Sequence, residues 1–377
     1  MIRTTRRRLA AAAAGVVLAV TAGVTAPPAA AVQTDHTATQ ELLDRFLLQA
    51  GPGAAVHAGN ATESWTLTAG TAKTGQNRPI TAADHYRIGS QTKTFTAATV
   101  LRLVDDGLVE LDAPIERYLP GVVTGNYDGG VITVRQLLQH TSGMVREVRD
   151  ARANADGTYT LAELVRSAMD EPAQAAPGAG VHYSNVAYLV LGMLIERVTG
   201  QSVGDAITSR IITPLGLTGT SFPAPRVRAL ADPYVPGYYG GRAGSLFFWY
   251  DVTTSVELSF WSTAGNMAST LGDLVKFYRA LGEGRVFSAA ALAEMRRTVA
   301  VPGGAGGRAG LGIDEVPLPC GGVAWAKNGG LTTGHTSMTM VTDDGRFASV
   351  VTNAFVNSTT SLTLMVDVLE SALCEDA

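Results

Sequence analysis

Apolar positions recur at helical spacing over residues 41–49, which predicts a first helix. Past Gly51 the pattern changes to two short runs, Ala54-Ala55-Val56-His57 and Trp65-Thr66-Leu67, with turn residues Gly59-Asn60 between them, and this predicts a β-hairpin. From residue 94 to about 274 the helical period dominates, clearest over residues 161–169, 186–198 and 204–212, with loops marked by glycine and proline. After Ser90 the apolar residues Phe95, Ala97, Ala98, Val100, Leu101, Leu103 and Val104 crowd nearly every face, and Gly107 is placed to end the run. They predict a helix buried on most sides. Near the end, residues 337–342 and 346–353 flank the turn "DDG" as an antiparallel pair, and residues 362–373 predict a closing helix. Strands at both ends with helices between them imply a discontinuous α/β part, about 32–93 and 275–377, carrying a mainly helical part, about 94–274.

Two stretches resist a period. "DPYVPGYYGGRAGSLFFWYDV" holds seven aromatics among glycines and is expected to form an irregular wall, for packing or for substrate. "PGGAGGRAG", residues 302–310, suits a flexible surface connection; nothing around it supplies the strand, helix and acidic residue of a dinucleotide site.

Composition narrows the class. The chain has 377 residues, 46% hydrophobic and 16% charged, enough to bury a large core. Its opening sets four arginines before the apolar residues 9–26, then Pro27-Pro28 and Ala29-Ala30-Ala31. This predicts a cleaved export signal over residues 1–31, leaving no stable membrane anchor. Arg6, Arg7 and Arg8 leave both the general and the twin-arginine route open. Loss of that segment takes the formal net charge from −4 to −8, which argues against nucleic-acid and anionic-membrane partners. Two cysteines, Cys320 and Cys374, in an exported chain are expected to form one disulfide rather than remain separate buried thiols.

Candidate chemistry begins with lysine. Only four of 29 basic residues are lysines, namely Lys73, Lys93, Lys276 and Lys327. Unlike arginine, a buried lysine can lose its proton and act as a base. Lys93 follows Ser90 by three residues at a helix start, so the two share a face; the plain alternative is a serine capping a helix. In "GAGVHYSNVAYLVLGMLIERVTG" a glycine-rich loop delivers Tyr183, Ser184 and Asn185 to the mouth of an apolar helix, where a cap and a core aromatic are the structural alternatives. In "CGGVAWAKNGG" alternation through Val323, Trp325 and Lys327 predicts a strand, and Gly329-Gly330 let another backbone come close. An edge lysine that blocks strand association is the alternative for Lys327. The six histidines show no ligand spacing, so no metal or other cofactor is expected, and His140 in "LLQHTSG" is expected to be structural.

Ser-x-x-Lys, Tyr-x-Asn and Lys-x-Gly in this order resemble the serine penicillin-binding protein and β-lactamase superfamily. The resemblance also runs through "YRIGSQTKTFTAATVLRLVDDGLVELDAPIERYLPG", "ITVRQLLQHTSGM" and the C-terminal "ESALC". It is nearer to class C enzymes and secreted D-alanyl-D-alanine carboxypeptidases than to class A. The resemblance implies a β-lactamase/DD-peptidase-like α/β fold, an antiparallel sheet flanked by helices with a mainly helical insertion. It also implies a secreted hydrolase that passes through an acyl-enzyme, with a small peptide, β-lactam or ester as substrate; monomer is the default expectation for a secreted hydrolase, since the sequence does not write the oligomeric state. Ser90 would be the nucleophile, Lys93 or Tyr183 the proton carrier and Lys327 a supporting cation. Asn185, Asn328, Gly329 and Gly330 would bind substrate, and the backbone N–H groups of Ser90 and Gly330 would form the oxyanion hole. It further implies that Cys320 pairs with Cys374. A carboxypeptidase acting on D-amino-acid peptides is the leading expectation. A β-lactamase, an esterase or D-aminopeptidase-like amidase, and a penicillin-binding sensor without turnover are the alternatives. Two positions depart from the carboxypeptidases. Asn328 stands in place of a hydroxyl residue, and Asp314 falls where they carry an arginine that grips the substrate carboxylate, which points to a substrate without a free C-terminus: an ester, an amide, or a peptide presenting an amine to Asp314.

Overall fold

The computed structural model describes residues 36–243, 246–301 and 307–375. The expected export segment lies outside them, as do residues 302–306 of the glycine-rich connection. Eight strands form one antiparallel sheet in the order Ser64–Gly70, Gly53–Gly59, Phe347–Thr352, His335–Thr342, Val323–Leu331, Asp314–Pro317, Arg308–Ala309 and Val299–Ala300. The hairpin predicted near the start is therefore extended by the last strand of the chain, with Val56 opposite Val350.

The sheet is covered on both faces, and the alternation of side chains sorts them into two cores. Ala54, Val56, Met340 and Val350 pack with Leu43 and Phe46 of the Thr37–Gln49 helix and with Val368 and Leu369 of the Thr359–Cys374 helix. Ala55, Trp325, Val341 and Val351 face the other way, into the larger core around Phe95. Double burial explains why His335–Thr342 and Phe347–Thr352 are buried along their whole length. Burying one large apolar side chain contributes roughly 1.5–3 kcal/mol, so these two layers hold the strands firmly.

The Thr92–Asp105 helix runs through the larger core, and its Phe95 stacks on Phe277 with ring centroids 3.8 Å apart. Crowding of apolar residues on all its faces put it there. A second internal helix, Asn185–Thr199, starts where Ser184 Oγ accepts from the Ala187 N–H and ends at Gly200, whose φ is 67°. The cap expected of Ser184 or Asn185 thus falls to Ser184.

Three readings need correction. The segment over 204–212 is a short α-helix, Val203–Ile207, continued by a π-turn, Thr208–Ile212. Ser90 lies in a 3₁₀ turn, Gly89–Gln91, just ahead of the helix, and its side chain caps nothing there. The aromatic stretch expected to be irregular contains an antiparallel hairpin, Tyr238–Ala243 with Leu246–Asp251. Tyr239, Phe247, Phe248 and Tyr250 stand exposed on it. Apolar residues on both faces of that hairpin erased the alternation by which a strand is recognised.

Cys320 and Cys374 form a disulfide with Cα atoms 5.7 Å apart. It ties the end of the closing helix to the turn that feeds the Val323–Leu331 strand. Among the described residues no helix is long and apolar enough to cross a membrane.

Candidate active site

Ser90 is held where three pieces of backbone meet. Gly89 precedes it with φ 51°, and a Cβ there would lie 2.6 Å from the Gly330 carbonyl oxygen. Only glycine satisfies both the left-handed backbone and the close strand. On the following side, buried Gln91 donates from Nε2 to Ser337 Oγ at 2.8 Å and fastens the turn to the central sheet. Lys93, one helical turn on, is fully buried; its Nζ donates to Ser90 Oγ at 3.2 Å and to the Ala264 carbonyl at 2.7 Å.

The loop ahead of the Asn185–Thr199 helix brings Tyr183 against the serine. Its O–H lies 2.7 Å from Ser90 Oγ as donor. His140, with φ 59°, supports this loop: its Nδ1 accepts from the Ser184 N–H at 3.1 Å, its carbonyl accepts from His182, and its ring packs 4.4 Å from that of Tyr183. Burial, with Lys327, Lys93 and Arg146 nearby, holds the His140 pKa well below its ordinary value. A neutral, accepting imidazole is a positioning group here, and the titratable groups that touch Ser90 Oγ are the Lys93 amine and the Tyr183 phenol.

Lys327 arrives on the Val323–Leu331 strand with the same facing as Trp325, toward the serine side of the sheet. Lys327 is buried and ion-paired with Asp314, which does not suit an exposed edge lysine that blocks strand association. Its Nζ donates to Asp314 Oδ2 at 2.8 Å and lies 5.6 Å from the centre of the Tyr183 ring. Asn328 faces the opposite way and is exposed at the rim of the cleft. Gly329 packs directly on the Gly89–Gln91 turn: a Cβ there would lie 1.9 Å from the Ile88 carbonyl oxygen and 2.9 Å from the Ser90 nitrogen.

These charges perturb one another. Burial alone would raise the Tyr183 pKa, but the Lys93 and Lys327 charges, with hydrogen bonding to Lys93 and Ser90, leave it below an ordinary phenol. Burial lowers the Lys93 pKa despite the opposing pull of Tyr183. Burial also works to lower Lys327, yet Asp314 and Tyr183 outweigh it and keep that ammonium charged. The phenol and the Lys93 amine are thus brought toward each other, a coupled pair suited to taking and returning one proton.

Ser90, Tyr183, Asn185, Lys327, Asn328, Gly329, Gly330 and Asp314 all line one cleft of about 620 Å³, with Lys93 buried beneath it. The sequence reading missed Glu147, which also lines it; both Glu147 oxygens accept from Asn185 Nδ2, at 2.9 and 2.8 Å. The adjacent charges Arg146-Glu147, just beyond the apolar Met144-Val145, were the available signal.

A family model described as Beta-lactamase matches residues 39–366. The chain belongs to the β-lactamase family. Its β-lactamase-like fold and serine-hydrolase membership agree with individual relatives. Penicillin-binding protein 4 of Amycolatopsis lactamdurans is 30% identical over 276 residues, 71% of each chain. Esterase EstB of Burkholderia gladioli is 33% identical over 220 residues, 55% of each chain. Among solved structures, the D-stereospecific amidohydrolase from Streptomyces sp. is 37% identical with a TM-score of 0.77, covering 88% of this chain and 98% of that one. The D-amino acid amidase from Ochrobactrum anthropi SV3, solved with L-phenylalanine amide, is 27% identical with a TM-score of 0.78, covering 90% and 97%.

Proposed function

We propose that this β-lactamase-family chain is an exported active-site-serine amidohydrolase for amides, esters or peptides of D-amino acids whose leaving side carries no free carboxylate. The observation that carries this reading is the Lys327–Asp314 ion pair at 2.8 Å. The cation on the strand side of the cleft is already matched by a carboxylate, and a second carboxylate brought there by a substrate would meet like charge. Similarity to a D-stereospecific amidohydrolase and a D-amino acid amidase supports the same substrate class. The N-terminal signal pattern and the Cys320–Cys374 disulfide support export.

In this reading Ser90 Oγ attacks the acyl carbon while its proton passes to the Tyr183 oxygen, in the form of the coupled pair that has lost its proton. The N–H groups of Ser90 and Gly330 hold the developing oxyanion, each worth roughly 10²- to 10³-fold in rate. The carbonyl–nitrogen bond breaks, the leaving amine takes the proton, and the acyl group stays on Ser90. Water, deprotonated by the same pair, then releases the D-amino acid.

The test compares D-alaninamide, D-phenylalanine p-nitroanilide, D-phenylalanine methyl ester and N-acetyl-D-Ala-D-Ala, with intact-mass detection of the acyl adduct in wild type and Ser90→Ala. Amides and ester should turn over, and the adduct should vanish with Ser90. Faster cleavage of N-acetyl-D-Ala-D-Ala would instead support the carboxypeptidase reading, which the similarity to penicillin-binding protein 4 favours. A stable one-to-one adduct with fluorescent penicillin and no turnover would support a sensor, and rapid loss of that label a β-lactamase.

A further inference from the structure

Asn185 carries an unanswered polar atom. The residue is 9% exposed, and its Oδ1 is buried without a hydrogen-bond partner among the described residues. The backbone around it is fixed, because its own N–H donates to the Arg146 carbonyl at 2.8 Å and Ser184 caps the helix it begins. The amide end toward Glu147 is fixed as well. An ionised carboxylate has only acceptors, so the end it meets at 2.9 and 2.8 Å must be the NH₂ group. Turning the amide over would set its oxygen against two carboxylate oxygens.

The Tyr-x-Asn resemblance assigns this asparagine to substrate binding, and the contact with Glu147 fixes which end of its amide is free to do so. Here the donor end is engaged by Glu147, and the acceptor left over is a buried, unpaired oxygen of a residue that lines the cleft, two residues from Tyr183. Glu147 is partly open to the cleft, its side chain 39% exposed. The cation paired with it, Arg146, lies 3.5 Å away, is largely exposed and turns its guanidinium over the Tyr183 ring at 5.1 Å.

We infer that Glu147 and Asn185 form a subsite for the protonated α-amino group of the substrate, so that the enzyme takes unblocked N-terminal D-residues. Asn185 Oδ1 accepts one ammonium hydrogen and the carboxylate supplies the countercharge. A substrate acylated on that nitrogen brings a neutral amide and loses the charge interaction. This subsite rests on the amidohydrolase reading above and adds which end of the substrate is recognised.

The experiment measures kcat and KM at about pH 7, below the pKa of about 8 of an α-amine, for D-phenylalanine p-nitroanilide and its N-acetyl derivative. Wild type, Glu147→Gln and Glu147→Asp are compared, with intact-mass detection of the Ser90 adduct. Wild type should favour the free amine. Glu147→Gln should reduce the free-amine to N-acetyl ratio of kcat/KM by about 10- to 100-fold, the scale of a hydrogen bond to a charged group. The change should fall mainly in KM, and Glu147→Asp should recover part of it. An equal loss on both substrates would make Glu147 structural and overturn the subsite. If the N-acetyl substrate acylates wild-type Ser90 and the free amine does not, the subsite fails while the hydrolase reading stands. If neither acylates Ser90, both fail.

Discussion

Replacing Gly329 with alanine adds one methyl group at the contact between the Val323–Leu331 strand and the Gly89–Gln91 turn that holds Ser90. That methyl carbon would lie 1.9 Å from the Ile88 carbonyl oxygen and 2.9 Å from the Ser90 and Gln91 nitrogens. An ordinary carbon–oxygen contact needs about 3.3 Å or more, so strand and turn must separate by more than about 1 Å. The turn resists, since the Ile88 N–H donates to Met267 and Gln91 donates to Ser337. Separation would therefore open the gap between the two proposed oxyanion donors, Ser90 and Gly330. Loss of one such donor costs about 10²–10³ in kcat, or about 2.7–4 kcal/mol, and a 1 Å misplacement alone can cost about 10². The expected outcome for Gly329→Ala is thus a kcat on D-phenylalanine p-nitroanilide lowered by about 10²–10³. Gly241→Ala serves as control: nothing lies within 4 Å of its added carbon, and it should stay within about two-fold of wild type. Steady-state kinetics with a thermal melt of each variant checks both. A Gly329→Ala enzyme within about three-fold of wild-type kcat and with the wild-type Tm would refute the oxyanion-hole assignment.

The proton carrier is tested by pH. Removing the Lys327 cation raises the pKa of both Tyr183 and Lys93, so in Lys327→Met the acidic limb of the kcat/KM profile should move to higher pH; an unmoved limb would detach these groups from catalysis. Tyr183→Phe should lower kcat by about 10²–10⁴, the usual worth of a positioned proton carrier. Asp314→Asn should raise the rate on N-acetyl-D-Ala-D-Ala relative to D-alaninamide by about five-fold, the scale of about 1 kcal/mol between like charges about 4 Å apart in water. No change in that ratio would remove Asp314 from substrate selection. The double replacement Cys320→Ser with Cys374→Ser opens a link across 54 residues and should cost about 2–4 kcal/mol by denaturant titration. A loss below about 1 kcal/mol would make the bridge incidental.

Periodicity and local spacing made much of this molecule legible. Ser90 and Lys93 lie three residues apart where a 3₁₀ turn runs into the helix, so their proximity is set by local backbone and was readable from spacing. The crowded apolar faces after Ser90 required deep burial, and the alternation through Val323, Trp325 and Lys327 put the lysine on a strand face. The hairpin over residues 238–251 was not legible, because apolar residues on both sides left no period to detect. The Asn185–Glu147 contact was not legible either, since it joins positions 38 apart and neither residue belongs to a repeating pattern.

The sequence by itself determined which residues are chemically capable and which elements carry them, because helix and strand periods are short-range and written in consecutive side chains. The tertiary structure decided polarity: that Lys327 is matched by Asp314, that Tyr183 feels two ammonium groups, and that Asn185 gives its NH₂ group to Glu147 and leaves its oxygen unpaired. Those outcomes depend on Coulomb interactions and hydrogen-bond directions between groups that only folding brings within 3 to 6 Å.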